Sequence, residues 1–124
     1  MTTEIATTEA VLKHHLDAVM KMATDGVDSV MQDYAEDAVM ISPNGVVTGA
    51  DSIRTFFEGL ITQMPPDYVQ SMKVDMQQVR GEIAYLLWSA PPYIEMGSDT
   101  FLIRDGKITV QTVAVYMAAA ASGR

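Results

Sequence analysis

Apolar positions along the chain change period three times, and each change marks a change of element. In TEAVLKHHLDAVMKMAT, from Thr8 to about Thr24, Leu12, Leu16, Val19 and Ala23 recur at helical spacing, and Thr7 or Thr8 can cap the start. Asp25–Gly26 ends that helix, and VDSVMQDYA predicts a shorter one that turns Val27, Val30, Met31 and Tyr34 inward. AVMIS (38–42) reads as a strand, Pro43–Asn44–Gly45 as a turn, and VVT as the returning partner. GADSIRTFFEGLITQM restores the helical period, with Ile53, Phe56, Phe57, Leu60 and Ile61 on one stripe, until Pro65–Pro66 stops it.

Beyond residue 68 the period is that of strands. YVQSMKVDMQQV (68–79) alternates, IAYLLWSA (83–90) is apolar on both faces, and Pro91–Pro92 interrupts the sheet. YIEMGSDTFLI and ITVQTVAVYM then form a hairpin across RDGK. Helices, a small hairpin, a helix and a four-strand meander predict an α+β fold, with helices packed on one face of a curved antiparallel sheet. Residues 8–117 are expected to form one domain, with tails at 1–7 and 118–124. Strands that are apolar on both faces should have both faces covered. A homodimer through the outer sheet face is therefore expected.

Composition narrows the function classes. The chain has 124 residues, 48% of them hydrophobic, enough for one core and not for two. No run reaches the ~18 apolar residues of a membrane span, and the first residues lack the basic start and apolar stretch of a secretory signal. With no cysteine, neither disulfides nor thiolate metal sites arise, and a cytoplasmic address is expected. A net charge of −8 with scattered lysines and arginines argues against nucleic acid as a partner. The only two histidines are the adjacent His14 and His15, too few and too poorly spaced for a metal site. No cofactor signature occurs. Ten methionines are many for this length; most are read as core, and a few as the lining of an adaptable pocket.

Asp99 is the residue that asks for chemistry. On a strand it shares a face with Phe101 and Ile103, where an ionised carboxylate is costly. A two-residue Asp105–Gly106 turn would set Thr112 opposite Asp99. A three-residue loop with a bulge at Gly106 would set Gln111 there, and is favoured because it also sends Val113, Val115 and Met117 inward. A carboxyl beside an amide in apolar surroundings should hold its proton more tightly than usual. The competing reading is a solvated aspartate at a strand start. His15 lies on the Leu12–Val19 face of the first helix, His14 about 100° away and outward. Trp88 falls opposite in parity to Tyr85, Leu87 and Ser89, and is read as core or interface.

HHLDAV, DYAEDAVMISPNGVVTGADSIRTFF and SDTFLIRDGKITVQTV together resemble the SnoaL-like branch of the nuclear transport factor 2-like (NTF2-like) superfamily, over residues 8 to 117. The resemblance implies a cystatin-like cone, a curved sheet wrapped around a long helix with an internal pocket, and pairing through the outer sheet face. The superfamily includes polyketide cyclases, ketosteroid isomerases, dehydratases, epoxide hydrolases and proteins that only bind. Beside the ketosteroid isomerases, the position of the catalytic base is Ser42 before Pro43, and that of the oxyanion-hole tyrosine is Val19 or a neighbour. Their protonated aspartate is matched by Asp99 before Thr100 and Phe101. The arginine–aspartate triad of the limonene-type epoxide hydrolases is not apparent around Arg54, Arg80 or Arg104. The dehydratase pattern would need His15, Asp99 and Tyr34 or Tyr85, at a spacing this chain does not follow.

The reading that results is an apolar pocket for a small hydrophobic molecule, with Asp99 as general acid/base and His15 as second proton handler. Val19, Met40, Ser42, Phe56, Phe101, Gln111, Val113 and Val115 are its expected ligand contacts. A cofactor-independent cyclase, isomerase or dehydratase follows, and the alternative is a ligand-binding or interaction module without catalysis.

Overall fold

A computed structural model describes residues 6–117, and the expected tail at 118–124 and most of that at 1–7 lie outside them. Thr7 belongs to the first helix as its cap, its side chain accepting a hydrogen bond from the Ala10 N–H. Helix α1 spans Thr8–Asp25 and ends at Gly26. Short α2 (Asp28–Met31) leads into β1 (Tyr34–Ser42) and β2 (Gly45–Thr48), followed by α3 (Ala50–Gln63) and the single turn α4 (Tyr68–Ser71). Strands β3 (Lys73–Arg80), β4 (Ile83–Ala90), β5 (Ile94–Arg104) and β6 (Lys107–Met117) complete the chain.

The six strands form one sheet in the order β2-β1-β6-β5-β4-β3. It is mixed rather than wholly antiparallel, because β6 lies parallel to β1. Three hairpin reversals set β6 antiparallel to β3, and β6 then closes onto β1 running in the same direction as it. The concave face packs on α1 and α3 around Leu12, Met22, Val30, Ile53, Phe101 and Ile108, all under 2% exposed. Burying each such side chain contributes ~1.5–3 kcal/mol. On α1 the buried stripe is Leu12, His15, Val19 and Met22, and Ala23 is exposed.

Three expectations fail locally. Tyr34 opens β1 instead of closing a helix: the chain leaves α2 after Met31, and the Asp33 carbonyl accepts the Ile108 N–H at 2.7 Å. Residues 68–71 form a helical turn, since β3 finds its first partner only at Lys73, opposite Ser89. At the β5–β6 turn, Asp105 (φ 54°) and Gly106 (φ 78°) make a two-residue loop that pairs Arg104 with Lys107. Two positive φ values give the turn whose twist matches the flanking strands. The bulge sits deeper, at Thr109, whose hydroxyl donates to the Leu102 carbonyl at 3.1 Å. Asp99 therefore faces Val113, and Gln111 faces Phe101.

The outer face carries Ile41, Val46, Met76, Ile83, Met96 and Tyr116, each more than 40% exposed. Among the described residues no helix is long and apolar enough to cross a membrane.

Candidate functional site

Between the sheet and the helices lies a cavity of about 690 Å³, within the ~300–1,000 Å³ common for small-molecule sites. His15 and Val19 from α1, Met40 from β1, Phe57 and Leu60 from α3, Tyr68 from α4, and Leu86 and Trp88 from β4 form its inner wall. Asp99 and Phe101 from β5 and Gln111 and Val113 from β6 complete it. The exposed residues Asp17, Asn44, Phe56, Lys73, Val115 and Met117 mark its open end. Met20, Met22, Met40, Met64, Met72 and Met117 all line it, Met22 and Met40 belonging to the buried core as well and Met64 and Met72 packing against it.

Inside a wall so apolar, polar atoms are few and held by one another. Asp99 is 6% exposed. Its Oδ1 accepts the Trp88 indole N–H at 2.8 Å, and its Oδ2 accepts a Gln111 amide N–H at 2.8 Å. Both donors are diagonal neighbours of Asp99 in the sheet, Trp88 standing opposite Gly97 and Gln111 opposite Phe101. Long side chains reach across such a diagonal. The Tyr34 hydroxyl donates to Gln111 Oε1 and lies 3.5 Å from His15 Nε2. His15 is 3% exposed, with the rings of Tyr34, Phe57 and Phe101 packed edge-on around it. Its Nδ1 is 3.5 Å from Asp33 Oδ2 but makes no hydrogen bond. Half-exposed His14 takes the Asp33 carboxylate instead, at 2.8 and 2.9 Å.

Burial raises the proton affinity of Asp99, while the Trp88 and Gln111 hydrogen bonds and the nearby His15 pull the other way; the net direction is up. Burial, with the Asp99 charge second, pushes Tyr68 up to about 12. Tyr34 is raised well above the phenol range by burial, then by Asp99 and Asp33. A carboxyl whose proton is held more tightly in the folded state adds stability that is complete below the ordinary aspartate range and is lost as pH rises through its raised value. Urea unfolding from about pH 3 to about pH 8 should therefore show the native chain losing stability relative to Asp99→Asn as pH rises. A gap that is flat or runs the other way would refute the assignment.

The expected residues divide by position. Asp99, His15, Val19, Met40, Phe101, Gln111 and Val113 come together around the cavity's interior. Phe56 (40% exposed) and Val115 (46%) stand at its open end, Phe56 leaning edge-on against Phe57. Ser42 lines the cavity too, and its Oγ accepts the Asn44 N–H, closing the β1–β2 turn. Trp88 emerges as a partner of Asp99. Tyr34 is mispositioned by the sequence, while Asp33 and Tyr68 go unnoticed in it. Gly97 was the available signal, a small residue two places before Asp99 that leaves room for a large cross-strand ring. Among the described residues no trio of histidine and carboxylate side chains is grouped for a metal.

No family model and no curated protein matches the chain. Solved structures do. An NTF2-like protein of unknown function from Cytophaga hutchinsonii is 16% identical, with all of both chains covered and a TM-score of 0.68. A protein from Kribbella flavida, provisionally named a ketosteroid isomerase, is 17% identical over 92% of this chain and 82% of its own, with a TM-score of 0.70. A de novo designed protein with a curved β-sheet is 16% identical over 90% of this chain and 88% of its own, at 0.72. At such identities the likeness is one of fold: the chain has the NTF2-like cone. Because a designed sequence shares it, activity has to be argued from the side chains.

Proposed function

We propose that the cone encloses a small, largely apolar molecule bearing a carbonyl or hydroxyl group, and that Asp99 is the acid/base that exchanges a proton with it. One observation carries the proposal: a buried carboxyl at the cavity wall has a hydrogen-bond donor on each oxygen while burial raises its proton affinity. Each carboxyl oxygen has lone pairs beyond the one its donor uses. Asp99 can thus take a proton from a bound molecule, or give one, while Trp88 keeps its hold on Oδ1. Raised proton affinity makes it a stronger base when ionised and leaves the neutral acid populated nearer to neutral pH. The reaction class that fits is cofactor-independent isomerisation, cyclisation or dehydration.

A binding module without catalysis is favoured by a different observation. His15 is tied to Tyr34 and Tyr34 to Gln111, and Tyr68 on the cavity wall is held protonated by burial and the Asp99 charge. In that reading Asp99 and Tyr68 only orient the guest.

The exposed apolar outer face supports a dimer, Ile83, Met96 and Tyr116 being covered by a second copy. Native mass spectrometry of the purified chain tests occupancy and pairing together. Twice the chain mass is expected, with an additional small apolar molecule released on unfolding. A monomer rejects the dimer. An empty cavity that takes up no carbonyl or hydroxyl compound from a hydrophobic panel rejects the binding site.

A further inference from the structure

We propose that Tyr34 and His15 are positioning residues which, through the Gln111 amide, decide whether a donor or an acceptor faces Asp99. The inference rests on reading Asp99 as a group that gains and loses a proton. Gln111 is the pivot, because its side chain offers N–H on one side and an oxygen on the other. As it stands, the nitrogen faces Asp99 at 2.8 Å and the oxygen faces Tyr34. A phenol has one proton, and Tyr34 gives it to Gln111. Only lone pairs remain toward His15 Nε2, so that nitrogen has to carry the imidazole proton. His15 Nδ1 is then a bare lone pair, buried and unpartnered, 3.5 Å from the Asp33 carboxylate. This arrangement suits an ionised Asp99 and leaves one defect, at the far end of the chain of groups.

The same groups have a second arrangement that removes the defect. With the His15 proton on Nδ1, the ring donates to Asp33 and its Nε2 accepts from Tyr34. The Tyr34 oxygen then accepts a Gln111 N–H, and the Gln111 oxygen turns to Asp99. That oxygen is satisfied only if Asp99 carries a proton to donate. The two arrangements differ by one proton, which resides on Asp99. His15 holds one proton in each, moved between nitrogens by exchange with solvent past Asp33 and half-exposed His14. An amide passes no proton along, so the device transmits orientation and not charge. The imidazole is 3.5 Å from its partner on either side, Tyr34 Oη or Asp33 Oδ2, favouring neither. Trp88 keeps its bond to Oδ1 throughout.

Titratable groups that face this chain are His14 and His15 on α1, Asp33 before β1, Tyr34 on β1, Tyr68 on α4, and Asp99 on β5. A His14→Gln background removes the half-exposed histidine, so that the histidine signal is that of His15 alone. In the full chain, nitrogen-15 spectra of the histidine report the tautomer of His15, and carbon-13 spectra report the Asp99 carboxyl. The expected result is a shift of His15 from the Nε2–H to the Nδ1–H form with the same midpoint as Asp99 protonation. Asp99→Asn should abolish that response, and Gln111→Leu should let Asp99 titrate while His15 stays unmoved. Tyr34→Phe should move the Asp99 midpoint upward without changing Trp88 emission. A merely structural role would leave the His15 tautomer indifferent to Asp99. The proposal is overturned if His15 keeps one tautomer through the Asp99 titration, follows pH equally in Asp99→Asn, or takes a second proton first. Should Gln111→Leu or Tyr34→Phe fail to fold, the His14→Gln spectra decide alone. An Asp99 that does not titrate at all sinks the acid/base reading itself, an outcome separate from an unresponsive His15.

Discussion

Gly97→Ala should lower stability by about 3 kcal/mol or more, from overpacking together with the loss of a hydrogen bond to a carboxylate. A Cβ built at Gly97 would lie 2.2, 2.4 and 2.7 Å from the Cε2, Cζ2 and Cδ2 atoms of Trp88, far inside contact distance. Backbone movement offers little relief, because β5 is paired on both sides at this point, with Trp88 across one edge and Val115 across the other. The indole has to leave instead. It gives up its burial at 7% exposure and withdraws the N–H that holds Asp99 Oδ1. For a domain of this size such a loss corresponds to a fall of roughly 10–15 °C in melting temperature. Trp88 is the chain's only tryptophan, so its fluorescence reports the event without labelling. A lower melting temperature with red-shifted emission is the expected pair of results. An unchanged melting temperature with unchanged emission would show that Gly97 and Trp88 do not pack as described.

The second large effect is on chemistry. For a compound that the protein turns over, Asp99→Asn should cut kcat by ~10²–10⁴, the usual contribution of a general acid or base, while KM changes little. Asparagine keeps the shape of aspartate and an oxygen for the Trp88 N–H, so the cavity should survive the change. Its amide nitrogen then points at Gln111, whose side chain can turn to offer its oxygen. What is lost is the ability to exchange a proton. If Asp99→Asn keeps full turnover, Asp99 is not the acid/base. If it costs affinity alone and no compound is ever transformed by the native chain, the protein is a binder and the carboxyl an anchor.

Much of this architecture is legible in the amino-acid order, because strong periodicity survives whatever the chain packs against. Helix α1, the Pro43–Asn44 turn, the α3 stripe of Ile53 and Phe57, and the three hairpin strands β4–β6 all follow from spacing and turn chemistry. The failures lie where a partner distant in sequence decides. Tyr34 continues the apolar spacing of the short helix, and only the parallel strand β6 makes it the first residue of β1. Residues 68–71 alternate like a strand but have no strand to pair with.

The site was readable by type more than by geometry. Asp99 stands out because a carboxylate in an apolar strand needs an explanation, and an amide close by is expected. The amide arrives by a bulge at Thr109 that no turn rule locates, diagonal to Asp99 and not opposite it. Trp88 needs the β4–β5 register, which depends on the loop across Pro91–Pro92 and on a shift after Trp88 that no local signal announces. The Tyr34–His15–Asp33 chain depends on the first helix, the first strand and the last strand at once. Relationships of that order are absent from any single stretch of sequence.

The six thioethers around the hollow have a consequence of their own. Unbranched side chains with three rotors each resettle at little cost, so the hollow has no single fixed outline. Under the proposed function, guests of different bulk would be accommodated by the same lining, and a methyl more or less weakly distinguished. For a guest bound as proposed, discrimination would fall on the polar corner where indole, carboxyl and amide meet. If the proposed binding holds, such a lining would sort molecules by the polar atom they present, and forgive their silhouettes.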